Sequence, residues 1–307
     1  MRRPITVIGG VQVDVVIVPV GELPPPGQTL LVDELGFRVG GAGANAALAF
    51  AEAGKQVRLI GCVGEDHLGS WLVEELAPFG LDGDIVILPA HSTGLTVACE
   101  APERDRTFLT FLGVNTAWDA TMIPDDAAAG ESLLVCDYFC APALRGAPTL
   151  ALLSAARAQG TRTFFDTAWD PGGWQAPARE EVLELLPYVD VFLPNESEAH
   201  AIAGDCDTPE EAAHRLAQIS GGWVVVKLGV RGCFAVGPGA SELRAPAQQV
   251  AVVDSTGAGD AFNAGLIAAL GDGHSWPQAL RAGAALAAEI LARPWGERQR
   301  AGGARAR

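Results

Sequence analysis

Apolar and polar residues along this chain follow two periods, and the changes between them mark out the elements. Ile5 to Ile8 is a short, mostly apolar run ending in Gly9-Gly10, which predicts a central strand. Gln12 to Val18 alternates as far as Asp14 and then stays apolar to Pro19, and Leu30 to Val39 is a second extended stretch. The proline-rich GELPPPGQT between them makes a tight connection. Thr93 to Glu100 and Thr107 to Leu112 flank the polar APERDR and predict a hairpin. These extended pieces, drawn from about 12–39 and 93–112, are assigned to one small antiparallel sheet leaving the main body. Gly40 to Asn45 leads into a small-residue helix, AALAFAEAG, capped at Gly54. Val57 to Val63 then reads as a strand, His67 to Phe79 as an amphipathic helix and Ile85 to Leu88 as a short strand.

Beyond the hairpin, strand and helix patterns alternate. Ser132 to Asp137, Thr163 to Asp166, Val189 to Leu193 and Trp223 to Lys227 read as strands. Thr149 to Gln159, Glu180 to Leu186, Glu196 to Ala203 and Pro209 to Ile219 read as helices. Such alternation predicts a parallel sheet covered by helices, a doubly wound α/β domain. Arg231 to Val236 and Leu243 to Val253 add strands, and Ala279 to Leu291 is a last apolar helix. Phe262, Leu266, Ile267 and Leu270 fall at helical spacing, which predicts a helix from near Ala258 to Gly271. Residues 1–295 are expected to form a single domain, and the basic, Gly/Ala-rich 296–307 to be a disordered tail.

Composition narrows the function classes. Hydrophobic residues make up 49% of the 307, enough for a substantial core. The net charge of −16 argues against broad binding to nucleic acid or anionic membranes. The six cysteines form no C-x-x-C pair and suit a reducing cytosol. The apolar run after MRRP is interrupted by Gly9, Gly10, Gln12 and Asp14, so it fits a core strand better than an export signal. No stretch reaches the ~20 apolar residues of a membrane helix. A cytoplasmic protein is expected.

Candidate chemistry gathers around VDSTGAGDAFNAGLIAALG, residues 253–271. A glycine-rich turn opening a helix exposes unpaired N–H groups, and with the helix dipole Gly257, Ala258 and Gly259 make an anion hole suited to phosphate. Asp260 lies in that positive mouth, where a carboxylate is favoured, so it is expected to be ionised and able to act as a base. A plain first-turn acid stabilising its helix is the alternative. Gly41-x-Gly43-x-x-Ala46 loosely matches a dinucleotide fingerprint, but some thirty residues separate it from the first strand, against a Rossmann site. Asp14, just after the first strand among apolar neighbours, needs partners such as sugar hydroxyls unless it is exposed. Asn195 and Glu198 share one helix face, suited either to magnesium on a nucleotide's phosphates or to simple capping. Lys227 ends a buried strand before Gly229 and Gly232; it either reaches phosphate or stands in solvent.

DSTGAGDAF closely resembles the C-terminal signature of the ribokinase-like (PfkB) sugar and nucleoside kinases. The Gly41 to Asn45 segment, Asp14 and the Asn195 to Glu198 motif match that family in its order, over roughly Ile5 to Pro294. The resemblance implies a three-layer, mostly parallel α/β domain with a small antiparallel β lid, ATP and Mg2+ on one side, and a sugar beneath the lid. It assigns Asp260 as general base, and Asp14, Gly41, Asn45 and Asp260 to the sugar. Asn195, Lys227, Gly229, Gly232, Gly257 and Gly259 fall to ATP, and Glu198 to magnesium through water. Asp254 matches a potassium-linked position, which admits K+ activation, and lid pairing implies a homodimer. Ala42 replaces a lysine usual in ribokinases, which weakens ribose as substrate. Around Phe139 and Cys140 nothing matches the acidic residue that ribokinases offer the sugar, and no adenine-side Asn stands in the last helix. No Walker lysine loop or protein-kinase HRD or DFG set occurs. A nucleoside kinase of this fold and a catalytically silent sugar- or nucleotide-sensing protein remain as alternatives. Gln12, Thr96, Phe108 and Phe111 in the lid are expected to decide the substrate.

Overall fold

The structure, a computed structural model, describes residues 4–22, 24–101, 104–253 and 255–293. In chain order the elements begin β1 (Ile5–Ile8), β2 (Gln12–Val18), β3 (Glu34–Gly40), α1 (Ala42–Glu52), β4 (Val57–Gly64) and α2 (His67–Leu76). They continue with β5 (Asp84–Leu88), β6 (Leu95–Ala101), β7 (Arg104–Phe111), β8 (Ser132–Val135), α3 (Ala147–Ala158), β9 (Arg162–Phe165) and α4 (Ala176–Leu185). The last are β10 (Val191–Phe192), α5 (Glu196–Ala203), α6 (Pro209–Ser220), β11 (Trp223–Lys227), β12 (Cys233–Gly237), β13 (Ser241–Ala245), α7 (Ala258–Gly271) and α8 (Trp276–Leu291).

Nine strands form the large sheet in the order β13-β12-β11-β10-β9-β8-β1-β4-β5. Pairing is parallel except where β12 and β13 join antiparallel at one edge. Because side chains alternate across a strand, neighbouring residues enter different cores. Val7, Leu134, Phe164 and Val225 pack with α1, α2, α7 and α8, whereas Ile8, Val135, Phe165 and Val226 pack with α3 to α6. Two apolar faces on one sheet require two helical layers, which gives the three-layer architecture. No helix among the described residues is long and apolar enough to cross a membrane.

The second sheet has the order β3-β2-β6-β7, antiparallel in its outer pairs and parallel between β2 and β6. Register puts Asp14, Arg38, Thr96 and Thr110 in one row, with Gln12 and Phe108 on the same face. Phe111 pairs with Leu95 and so lies on the opposite face, away from Thr96 and Phe108.

Several boundaries depart from the sequence pattern, α4 and α8 starting earlier, at Ala176 and Trp276, and three others having a clear cause. The second lid strand starts at Glu34 rather than Leu30, because β2 ends at Val18 and the ladder closes there, with the Asp33 N–H donating to the Val18 carbonyl. The helix from His67 is α-helical only to Leu76; Ala77 to Phe79, with Pro78, tightens to a 3₁₀ turn. The strand expected to run to Val253 stops at Ala245, where Pro246 removes a ladder donor. The proposed tail, 296–307, lies outside the described residues.

Candidate active site

The carboxyl ends of β1, β8, β9, β10 and β11 meet the amino end of α7, the edge at which open α/β sheets gather ligands. Gly9 and Gly10 follow β1 and pack against the start of α1 so closely that side chains are excluded. Gly41 has φ +85°, and a Cβ on it would stand 2.3 Å from the Gly10 carbonyl oxygen; one on Gly43 would meet Gly9 at 2.5 Å. Asp137, one residue past Cys136 in the left-handed region, fills the mouth of this turn. Its Oδ2 accepts the Ala42 N–H at 2.5 Å, and the Gly10 and Gly43 N–H groups also bond it. Burial raises its pKa to about 6, with Asp166 adding to the rise and the N–H groups opposing it.

The turn aims Asn45, which lies beside Gly257 across the site. The Asn45 side chain hydrogen-bonds Asp260, while its Oδ1 is buried without a partner, so the amide nitrogen is the donor. Gly257 caps α7 in the left-handed conformation with no side-chain cap, leaving the helix's first N–H groups to face the site. Asp260 is half-buried in that first turn. Its carboxyl is not kept in the ordinary acidic range as expected from the helix dipole. Loss of solvent, then Asp166 and Asp137, push its pKa well up, against Lys227 and Asn45.

Lys227 is no solvent-exposed lysine. Its Nζ bonds Asp166 Oδ2 at 2.6 Å, and Asn263 Nδ2 bonds the same oxygen at 2.6 Å. A Cβ on Gly259 would lie 3.7 Å from the Lys227 Nζ, so the ammonium borders the first turn of α7. Burial works against that charge, but Asp166 and Glu198 outweigh it and raise the lysine's pKa. Asn195 and Glu198 form a reciprocal cap: Asn195 Oδ1 accepts the Glu198 N–H at 2.9 Å and Glu198 Oε2 accepts the Asn195 N–H at 2.9 Å. Glu198 Oε1 accepts Asn195 Nδ2 at 2.6 Å. Burial, then Asp166, lift the Glu198 pKa to about 7. Gly229 (φ +57°) and Gly232 (φ +88°) close the turn after β11, and a Cβ on Gly232 would strike the Ala245 carbonyl oxygen at 2.0 Å.

On the lid, Asp14 is 9% exposed and sits over Gly40, where a Cβ would approach its carboxylate to 2.2 Å. Gln12 Nε2 donates to Thr96 Oγ1 at 2.8 Å, and Thr96 and Thr110 hydroxyls pair at 3.0 Å.

Residues 3–295 match the family model described as pfkB family carbohydrate kinase. The chain belongs to that family. The ribokinase of Haemophilus influenzae is 29% identical over 294 residues, 94% of this chain and 92% of its own. The fructokinase of Klebsiella pneumoniae is 32% identical over 248 residues, 79% of this chain and 80% of its own. The solved ribokinase of Cryptococcus neoformans, in complex with ADP, superposes with a TM-score of 0.79 at 25% identity, covering 99% of each chain.

Within this pfkB kinase the folded chain brings Gly41, Asn45, Gly257, Gly259, Lys227 and Asp260 together around one mouth. Asn195 and Glu198 sit one strand away from Lys227, to which residue 195 is bridged. Asp254, singled out for potassium, lies outside the described residues. Two acidic residues escaped sequence reasoning. Asp137 stands two residues before Phe139, where no acidic match was expected, and is turned onto backbone N–H groups. Asp166 closed a predicted strand at its carboxyl edge, and that position alone could have flagged it. Asn263 lies one turn beyond Asp260 on α7, a spacing that could have flagged it as well.

Proposed function

We propose that the chain transfers a phosphoryl group from ATP to a hydroxyl of a small, uncharged sugar, with Asp260 as general base. The observation that carries this reading is that the open N-terminus of α7 carries Asp260 in its first turn and is bordered by the Lys227 ammonium. As the new O–P bond forms, Asp260 takes the proton of the attacking hydroxyl and ADP departs. The N–H groups of Gly257, Ala258, Gly259 and Asp260, with Lys227, stabilise the negative charge on the transferring phosphoryl. Asn45 orients the Asp260 carboxylate toward the sugar, which Asp14 and Gly41 help to hold from the lid side. Positioning and electrostatics supply the acceleration.

Nucleotide binding falls to Asn195, Lys227 and the Gly229 to Gly232 turn, consistent with ADP in the Cryptococcus neoformans relative. Magnesium fits this donor set through its waters. Glu198 has both oxygens on Asn195, and no cluster of three acidic or His/Cys ligands occurs among the described residues. Glu198 and Asn195 would hold such an ion near the nucleotide, and it would supply charge neutralisation there. Asp14, Asp137 and Asp260 on the sugar side favour a neutral polyol over a sugar acid. Phe108 is the one described aromatic residue on the lid's Asp14 face, which supports a sugar over a nucleoside base. Leu35, Phe37, Leu109 and Phe111, each more than half exposed on the other lid face, support a homodimer.

The test is ADP release from ATP and Mg2+ over a panel of neutral sugars, beside Asp260→Asn. Sugar-dependent turnover that drops ~100-fold or more in the variant is expected. A wild type that binds a sugar and ATP but never turns over refutes the reading.

A further inference from the structure

We propose that Asp166 is a positioning residue, which fixes Lys227 beside the first turn of α7 and keeps it off Asp260. The inference rests on the roles of Asp260 and Lys227 given above. Lysine is a compact charge on a flexible four-carbon stem, so its position is set by whichever partner holds the ammonium. Three carboxylates compete for it here: Asp166, Glu198 and Asp260 all act on Lys227. Asp166 holds it, through an ion pair of 2.6 Å with both side chains largely buried.

What lets Asp166 win is that its own carboxylate is fixed from three elements. Oδ2 takes Lys227 at the end of β11 and also Asn263 on α7, while Oδ1 accepts the Ala168 N–H at 3.2 Å in the loop after β9. The rival Glu198 has both oxygens tied to Asn195. Asn263 is three residues beyond Asp260 on one helix face, so the same carboxylate that holds the ammonium also anchors the helix turn carrying the base. Without the charge on Asp166, the Lys227 ammonium is free to pair with Asp260. The base would then be engaged by a cation and the anion cradle would lose its own.

The experiment compares kcat and KM in wild type, Asp166→Asn, Lys227→Met and the double variant, on a neutral sugar that the wild type turns over. Each single variant is expected to lose about 10- to 100-fold in kcat, with the sugar KM within about 3-fold of wild type. The double variant should fall no more than about 3-fold below the weaker single variant, because Asp166 acts through Lys227. Losses that multiply, or a fall carried by the sugar KM, would overturn the proposal. Asn at 166 takes the ion pair from the buried Lys227 ammonium, which can cost this variant its fold. In that case the step from Lys227→Met to the double variant, which carries no lone charge, decides alone. A near-neutral step supports the proposal and a further 10-fold loss overturns it. Wild type inactive on every sugar indicts the kinase reading instead, whereas an active wild type with an unaffected Asp166→Asn removes only Asp166.

Discussion

Substituting Gly41 by alanine should destabilise the protein far more than the same change at glycines with open surroundings. At Gly41 the new Cβ would stand 2.3 Å from the Gly10 carbonyl oxygen and 2.6 Å from its carbon, both backbone atoms that cannot rotate away. The φ of +85° adds strain for any L side chain. Left-handed strain costs about 1–2 kcal/mol and overpacking about 1–3 kcal/mol, so the expected loss is about 2–5 kcal/mol. Against a total stability of about 5–15 kcal/mol this is a large share. Two controls separate the terms. Gly54, at φ +72° with nothing within 4 Å, isolates the dihedral cost, and Gly36, with nothing within 4 Å and no positive φ, should be near neutral. Urea unfolding of all three variants at matched m-values measures the differences. Because the turn carries Asn45 toward Asp260, Gly41→Ala should also depress turnover in protein that is still folded. A Gly41→Ala loss within about 0.5 kcal/mol of Gly54→Ala would refute the close-approach reasoning.

Two further outcomes follow from the same physics. Asp137 has a folded-state pKa near 6 against an ordinary 3.8, so its contribution to stability is whole at low pH and is lost as pH rises through 6. Across pH 4 to 7.5, Asp137→Asn should therefore gain on wild type by up to about 3 kcal/mol in the unliganded protein; thermal melts that stay equally spaced over this range would contradict it. Phe37→Glu, placed among Leu35, Leu109 and Phe111 on the exposed lid face, should shift a dimer to monomer in sedimentation velocity, and a monomeric wild type would dismiss the lid interface.

Elements were legible where local chemistry and tertiary demand agree. The helix of residues 258–271 follows from its glycine turn and the spacing of Phe262, Leu266 and Ile267, and it forms over those residues. Its partner strands were readable as apolar runs because a sheet covered on both faces needs them. Boundaries failed where the deciding partner is remote: Glu34 begins β3 because β2 ends at Val18, sixteen residues earlier by numbering, and no window around Leu30 contains that fact.

The site divides in the same way. Asp260, Asn45 and Gly41 belong to compact motifs that can be read within a few residues of sequence. Asp137 and Asp166 have no motif of their own. Each is a single acidic residue closing a strand, and its meaning comes from strands brought side by side: β9, β10 and β11 place Asp166 across from Lys227, and α1 brings the Ala42 N–H to Asp137. The expectation for Asp260 erred for this reason. The helix dipole is a local property and was counted, whereas Asp166 and Asp137 arrive from 94 and 123 residues away and push its pKa the other way. Asp166 and Asp137 raise the Asp260 pKa and Asp166 raises that of Glu198, so the carboxylates of this mouth repel one another. Three carboxylates acting on one ammonium, with Asp137 beside them, make sense if the bound state brings cations and hydroxyl donors with it, and the phosphates arrive already neutralised.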